Sequence, residues 1–479
     1  MRTTIALFNK KGNSAVSTVI DTLKNTQRNQ TMNFVVASPE KMVSNKSLEM
    51  LSRQCINSSV IIGCSFTDDT KKAYSFLQLD NTMTVFEGEI YTPIIKETFT
   101  QETTKNFFQN KTQLHTLIEK NEGNYSAFIL KKEEIAVVRD LIGTQPLYYG
   151  ENKDLAAFAS NRKTLWQLNI NEVLTFPPGN LCLLTSAGFQ FKPVKSFIYE
   201  EPIRISMDDA VWKIQKFLEQ AIETRVAGFK AVAVAFSGGL DSSLIAYMIS
   251  KCGIKVDLIH VSLENETEIE TAFEASEKLG LPMQVHLFKE SDVEKTLPQI
   301  VDLIEETDLV KTAIGVPVYW LAQKTREAGY QILFAGQGAD ELFGGYQRYV
   351  TEYCKDGSEK VRQTMFNDVK RIHENNLERD KKICIATDVD LRMPFCSFDL
   401  AEFALSLPVD LKFEQKQDSL RKLVLRKVAL NLGLPESIAN KPKKAIQYST
   451  GINNAIKRIA QKNGQTVNEY VTDLFKRKY

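Results

Sequence analysis

The hydrophobic pattern changes character near residue 200. Before it, short apolar runs follow one another with frequent turn residues: MNFVVAS (32–38), SVIIGCSF (59–66), MTVFEGEIY (83–91), YSAFILKKEEIAVVRD (125–140) and PLYYGENKDLAAFAS (146–160). Runs of this length and spacing predict stacked antiparallel sheets with a few helices. After residue 200, strand-like and helix-like segments alternate. KAVAVAF (230–236), KVDLIHVSL (255–263), MQVHLF (283–288) and QILFAG (331–336) read as strands. ETEIETAFEASEKLG (266–280) and AIGVPVYWLAQKTREAG (313–329) read as amphipathic helices between them. Such alternation predicts an α/β unit with a parallel sheet covered on both faces. Beyond residue 350 the pattern is mostly helical. The join KPVKSFIYEEPIRIS (192–206), with prolines and mixed charge, reads as a linker, so we expect one domain over 1–197 and another over 205–479.

Two loops of the second half carry candidate chemistry. In AVAVAFSGGLDSSLIAYMI (231–249) a buried strand runs into a helix through Ser237, Gly238, Gly239, Leu240, Asp241, Ser242 and Ser243. The glycines allow a sharp turn and leave backbone N–H groups uncovered, and the helix directs the positive end of its dipole to the same place. Such a turn suits a phosphate chain, and Asp241 beside phosphate implies a bridging Mg²⁺. The plainer alternative is a serine-capped βα loop. In LFAGQGADELFGGYQRY (333–349) a second strand ends at Gly336 and Gly338, followed by Asp340 and Glu341. Ligands of parallel sheets sit at the carboxyl ends of strands, so Asp241 and Asp340 are expected to share one Mg²⁺. The alternative for Asp340–Glu341 is a helix cap. Neither aspartate belongs to an apolar stripe, so replacing either is expected to leave the fold intact.

Composition narrows the classes. The chain has 479 residues, is 43% apolar and 25% charged, and carries a formal net charge of +1. That balance gives no bulk attraction to nucleic acid or to an anionic membrane surface. No apolar run approaches the roughly 20 residues that span a bilayer, and the start MRTTIALFNKKG lacks a signal-peptide core. Seven scattered cysteines without a CxxC pair fit reduced thiols and a cytoplasmic location. Four dispersed histidines do not suggest zinc.

SGGLDSS resembles the pyrophosphate loop of ATP pyrophosphatases. With it, FEGEIY (86–91), EGNYSAFIL (122–130), RDLIGTQPLYY (139–149), FASNRKTL (158–165), FPPGNLCLL (176–184), GADELFGGY (338–346), LRMPF (391–395), RKLVLRKVALNLGLPESI (421–438) and KPKKAIQYSTG (441–451) are similar, in order, to the glutamine-dependent asparagine synthetase family. The resemblance implies an N-terminal amidotransferase-type αββα sandwich and a C-terminal ATP-pyrophosphatase domain. It implies ATP and Mg²⁺ as cofactors, with a small-molecule carboxylate and ammonia or an amine as partners, and a homodimer as a possible assembly. The carboxylate would be adenylated, with aspartate the default, and then amidated. Pyrophosphate would lie on Ser237–Ser243, and adenine and ribose on Val261, Ser262 and Leu263. Lys443 or Lys444 would neutralise the adenylate or the tetrahedral intermediate. Arg392 and Lys422 read as structural ion-pair residues rather than catalytic ones.

The chain also departs from that family. Its glutaminase uses a cysteine after Met1; Arg2 stands there, and the first cysteine is Cys55. The glutamine-gripping Asn of the family's NGEIY is Glu87, and the RGPD segment has no counterpart. We therefore expect a degenerate amidotransferase domain that does not hydrolyse glutamine. In the second half the family's glutamate after the first glycine is Gln337, which cannot take up a full proton. Either turnover with ammonia is slow, or the base lies elsewhere, with Asp390 and Glu341 the candidates, or the amine arrives already neutral. The segment DLVKTAIGVP (308–317) lacks an expected arginine, and Asp390 and Ser397 replace Glu and Asp in VDLRMPFCS (389–397). These changes leave other carboxylate and amine pairs open, including β-lactam-synthetase-like chemistry, as well as a non-catalytic ATP-binding role.

Overall fold

A computed structural model describes residues 2–26, 32–91, 111–264, 268–417, 419–441 and 450–478. The chain divides into two compact units, Met1–Ser196 and Phe197–Tyr479.

In the first unit two antiparallel sheets face each other. One has seven strands in the order Leu174–Thr175, Tyr148–Glu151, Leu155–Ala159, Thr3–Asn9, Val60–Phe66, Asn33–Ala37 and Met42–Asn45. The other has six, in the order Gly188–Pro193, Asn180–Thr185, Glu134–Arg139, Gly123–Lys131, Thr82–Ile90 and Tyr74–Leu79. Alternation along strands explains the layers. Ala6 and Phe8 point into a core shared with Val85, Phe128, Val137 and Leu184 of the second sheet. Ile5 and Leu7, on the opposite face, pack with Val19, Ile20 and Leu23 of helix Val16–Lys24. Helix Lys111–Lys120 lies against strands Glu134–Arg139 and Asn180–Thr185. The layers are helix, sheet, sheet, helix.

The second unit is built on a parallel five-stranded sheet. Its order is Met283–Phe288, Lys255–Leu263, Ala231–Ala235, Ile332–Phe334 and Asp390–Arg392. The four strands expected from the pattern are present; the fifth, three residues of VDLRMPFCS of which two are charged, leaves no apolar signal. Strand Ala231–Ala235 sits between the strand that follows it and Ile332–Phe334, so the chain winds outward to one side and returns on the other. The carboxyl end of Ala231–Ala235 is therefore a topological switch point, where open α/β sheets leave a crevice. Val232, Val234, Leu258, Phe334, Leu244 and Val428 form one apolar core beneath it.

Candidate active site

The loop after Ala231–Ala235 turns at Gly238, whose φ is +66°. A Cβ there would lie 2.7 Å from Ala272 Cα, so both its conformation and its space require glycine. Gly239 then caps helix Leu240–Lys251 with no side-chain hydrogen bond, which leaves the opening turn to a ligand. Ser242 Oγ braces the loop, accepting from Ser237 N at 3.3 Å and donating to Gly239 O at 3.3 Å. The second loop lies directly opposite: a Cβ on Gly336 would come within 2.9 Å of Asp241 Cβ. Gly338, at φ +96°, caps the short helix Ala339–Phe343 and packs on Phe395 and Cys396.

The structure brings Asp241 and Asp340 together on one point. That point is the Lys422 ammonium, which donates to Asp241 at 2.8 and 2.7 Å and lies 2.7 Å from Asp340 Oδ1. Lys422 is buried and is held in the left-handed region, φ +61°, at the start of helix Leu423–Asn431. A non-glycine residue there is strained, which is tolerated where the surroundings demand it. Gly345 makes room for the cluster, since a Cβ would lie 1.9 Å from Asp340 Oδ1 and 2.5 Å from Lys422 Cε. Lys422 is thus an ion-pair residue, as the sequence suggested, but it sits at the centre of the site. The expectation that either aspartate is dispensable to the fold is corrected by the same geometry: each is a counter-charge to a buried ammonium.

Asp241 and Asp340 are also donors of the kind Mg²⁺ takes, two carboxylates beside the loop with phosphate and water left to complete the shell, but the point on which they converge here is held by the Lys422 ammonium, so the ion would take their other sides. Among the described residues no group of three or more His, Cys, Asp or Glu could hold a metal unaided.

Gln337 is locked. Its Nε2 donates at 2.5 Å to Asp380 Oδ2, and Asp380 is itself clamped by Arg379 at 2.7 and 3.0 Å. Glu341 is buried, accepts from Tyr346 Oη at 2.5 Å and Asn376 Nδ2 at 2.7 Å, and burial together with Asp340 raises its pKa. Asp390 is not brought to the loops. It opens its strand opposite Ile332, at the amino end, where Lys381 donates to it at 2.5 Å and Arg392 pairs at 3.1 Å. The site gathers at the carboxyl ends, so Asp390 is an ion-pair partner there rather than a base for the loop. Arg392 also donates to Arg225 O and lies 4.6 Å over Phe229.

Val261, Ser262 and Leu263 are buried at the carboxyl end of their strand, next to the loop. Ser262 Oγ and Ser243 Oγ meet no partner among the described residues. Lys443 and Lys444 lie outside the described residues. Their flanks, however, are placed: Lys441 Nζ donates to Gly238 O at 3.2 Å, and Thr450 O accepts from Leu263 N at 3.3 Å. Buried Arg426 donates to Ala439 O and, at 3.1 Å, to Lys441 O, tying this segment to the loop; burial pushes its pKa down to about 10 despite nearby Asp241. Sequence reasoning missed Lys441, Arg426 and Asp380. The first two sit inside quoted motifs, but nothing in spacing alone says that their tips turn inward.

The first unit has its own polar cluster around Glu87, which is buried. Thr4 Oγ1 donates to it at 2.6 Å, Gln145 Nε2 at 2.8 Å, and Arg2 Nε lies at 3.1 Å. Gln145 is presented by a buried turn in which Asp140 accepts from the N–H groups of Gly143, Thr144 and Gln145 at 2.7 to 2.9 Å. The neighbouring thiol, Cys64, is fully buried; burial and Glu87 raise its pKa, the reverse of what a nucleophile needs. Among the described residues all seven cysteines are free. No helix among them is long and apolar enough to cross a membrane.

Two protein families match the chain. Residues 213–359 and 352–478 match the asparagine synthase family, and residues 68–167 match the glutamine amidotransferase domain family. A protein of Methanocaldococcus jannaschii named "Putative asparagine synthetase (glutamine-hydrolyzing) 1" is 31% identical over 411 residues, 75% of each chain. The asparagine synthetase (glutamine-hydrolyzing) of Asparagus officinalis is 26% identical over 69% of this chain and 58% of its own, and the root enzyme of Pisum sativum 25% identical over 66% and 55%. The match thus spans a little over half the length of these plant relatives. A solved glutamine phosphoribosylpyrophosphate amidotransferase from B. subtilis is 12% identical, with a TM-score of 0.35 over 88% of this chain and 100% of its own. With both family domains in order and the two loops meeting at the switch point, this chain belongs to the asparagine synthase family, ligases that form C–N bonds.

Proposed function

We propose that the second unit is an ATP-dependent amide synthetase. A carboxylate oxygen attacks the α-phosphorus of ATP, giving an acyl-adenylate and pyrophosphate; ammonia or another amine then takes the acyl group and AMP leaves. The observation that carries this reading is the convergence of Asp241, Asp340 and Lys422 beside the Ser237–Ser243 loop. Backbone donors of the loop hold the pyrophosphate, Lys422 fixes the two aspartates, and Lys441 borders Gly238. Asp241 and Asp340 would hold Mg²⁺, which supplies charge neutralisation on the phosphates. Aspartate is the default carboxylate.

The first unit is proposed not to feed this reaction from glutamine. Glu87 is occupied by Thr4, Gln145 and Arg2, so the position that would grip a glutamine amide is already satisfied within the protein. One observation favours a different carboxylate and amine pair: Gln337 spends its amide on Asp380 and offers no proton acceptor of carboxylate strength.

The test is pyrophosphate release from ATP and Mg²⁺ across a panel of carboxylates and amines. Aspartate with ammonia is expected to give turnover, and aspartate with glutamine alone none. Glutamate formation from glutamine would overturn the second statement. Absence of pyrophosphate with every pair would overturn the first.

A further inference from the structure

Away from the nucleotide loops, the second unit holds a cavity of about 110 Å³ lined by Tyr199, Arg362, Phe366, Glu402, Ser406 and Lys412 among others. Lys412 is 98% buried, being 2% exposed. Its ammonium makes no hydrogen bond and no ion pair with any described residue, and its principal charged neighbour is another cation, Arg362. Arg362 is also buried. Its terminal nitrogens are used by Glu359 at 2.8 Å, by the exposed Glu201 at 3.6 Å and by Glu200 O, while its Nε is buried without an acceptor. The carboxylates of Glu200 and Glu402 belong to exposed residues, so the acids lie at the rim and the cations inside. Arg362 has its carboxylates but an unmet Nε, and Lys412 has no counter-charge among the described residues; a buried ammonium in that state beside a second cation is costly unless an anion joins them.

We propose that this cavity binds a small oxyanion, a carboxylate or a phosphate, between Lys412 and Arg362. The volume holds several waters or one small acid. Oxygens of such an anion would accept from both cations in charge-assisted hydrogen bonds. The site is also connected to the nucleotide loops through the backbone. Lys412 O accepts from Leu423 N at 2.8 Å, and the residue before Leu423 is Lys422. Phe413, next to Lys412, fills the space at Gly344, where a Cβ would lie 2.2 Å from its ring.

The experiment is calorimetric titration of the full chain, without ATP, with acetate and separately with inorganic phosphate, chloride serving as the control. Saturable binding of one of the two is expected, and which one binds identifies the class. Lys412→Met, close in shape, is expected to weaken it at least tenfold. Ser406→Glu, which places a carboxylate on the cavity wall, is expected to abolish it and raise the melting temperature, so the idea stays testable if Lys412→Met does not fold. Absence of saturable binding of either anion to the natural chain, or unchanged binding in both variants, would overturn the proposal. None of these readouts depends on catalysis.

Discussion

At the scale of single residues, charge balance explains more than hydrophobicity does. Lys422 holds together two carboxylates that would otherwise repel each other. Lys422→Met is expected to cut pyrophosphate release by about 10²–10³, the usual effect of removing one positioned electrostatic group. Asp241→Asn should retain the fold better than Asp241→Ala, which leaves the ammonium short of an acceptor at a cost on the order of 2 kcal/mol by urea denaturation. Gln337→Glu would set a second carboxylate against Asp380. One of the pair must then keep a proton, so its folded pKa rises above its unfolded value. Stability is then retained below the ordinary carboxylate range and lost as pH rises through the raised pKa. We expect the melting temperature of Gln337→Glu to fall between pH 5 and pH 8 relative to the natural chain, and Asp380→Asn in the same chain to restore most of it. Lys412 runs with the opposite sign. Burial and Arg362 push it down to about 7, so between pH 7 and the ordinary lysine range the unfolded chain binds more protons and the contribution of this group rises with pH. Lys412→Met should therefore gain most in stability near pH 6 to 7 and least near pH 10; Glu402, Glu200, Tyr199 and Arg362 face the same cavity.

Among elements, legibility in the sequence followed periodicity. The four parallel strands with apolar runs, the glycine turn at 237–239 and the second glycine-acid loop were readable because each pairs a β-like run with a turn that only certain residues allow. Strand Asp390–Arg392 was not, because two of its three residues are charged and no glycine turn follows it, whereas Ile332–Phe334, equally short, is wholly apolar and runs into one. Helix Glu378–Ala386 is illegible for a different reason. Its run Glu378, Arg379, Asp380, Lys381 and Lys382 looks like a solvated face, yet all five are buried. Each documented pair explains how: Arg379 with Asp380, Lys381 with Asp390, Lys382 with Glu305 at 2.7 Å. A π-helical turn, His373–Leu377, precedes the run. Sequence alone cannot distinguish this from a surface helix, because the partners come from other elements. Lys382→Met is expected to cost about 3–5 kcal/mol by leaving Glu305 buried and unpaired, and Lys382→Met with Glu305→Leu to recover most of it in the same denaturation assay.

Over the whole molecule, the two compact units carry separate polar centres, one around Glu87 and one around Lys422. The burial pattern across both predicts a thiol count. Cys252 and Cys354 are exposed, Cys55 is half-buried, and Cys64, Cys182, Cys384 and Cys396 are buried. A thiol reagent should label two cysteines readily in the folded chain, a third slowly, and the remaining four only after unfolding; early loss of a buried thiol would contradict the packing described. The bond between Gln337 and Asp380 also bears on how such a protein changes over time. Positions 337 and 380 together tolerate a single negative charge, so the two sites are not independent letters. A lineage that changes 337 to glutamate first sets two carboxylates together, and one that neutralises 380 first leaves buried Arg379 without its counter-charge. Either order passes through a less stable chain, so the two changes are favoured only together.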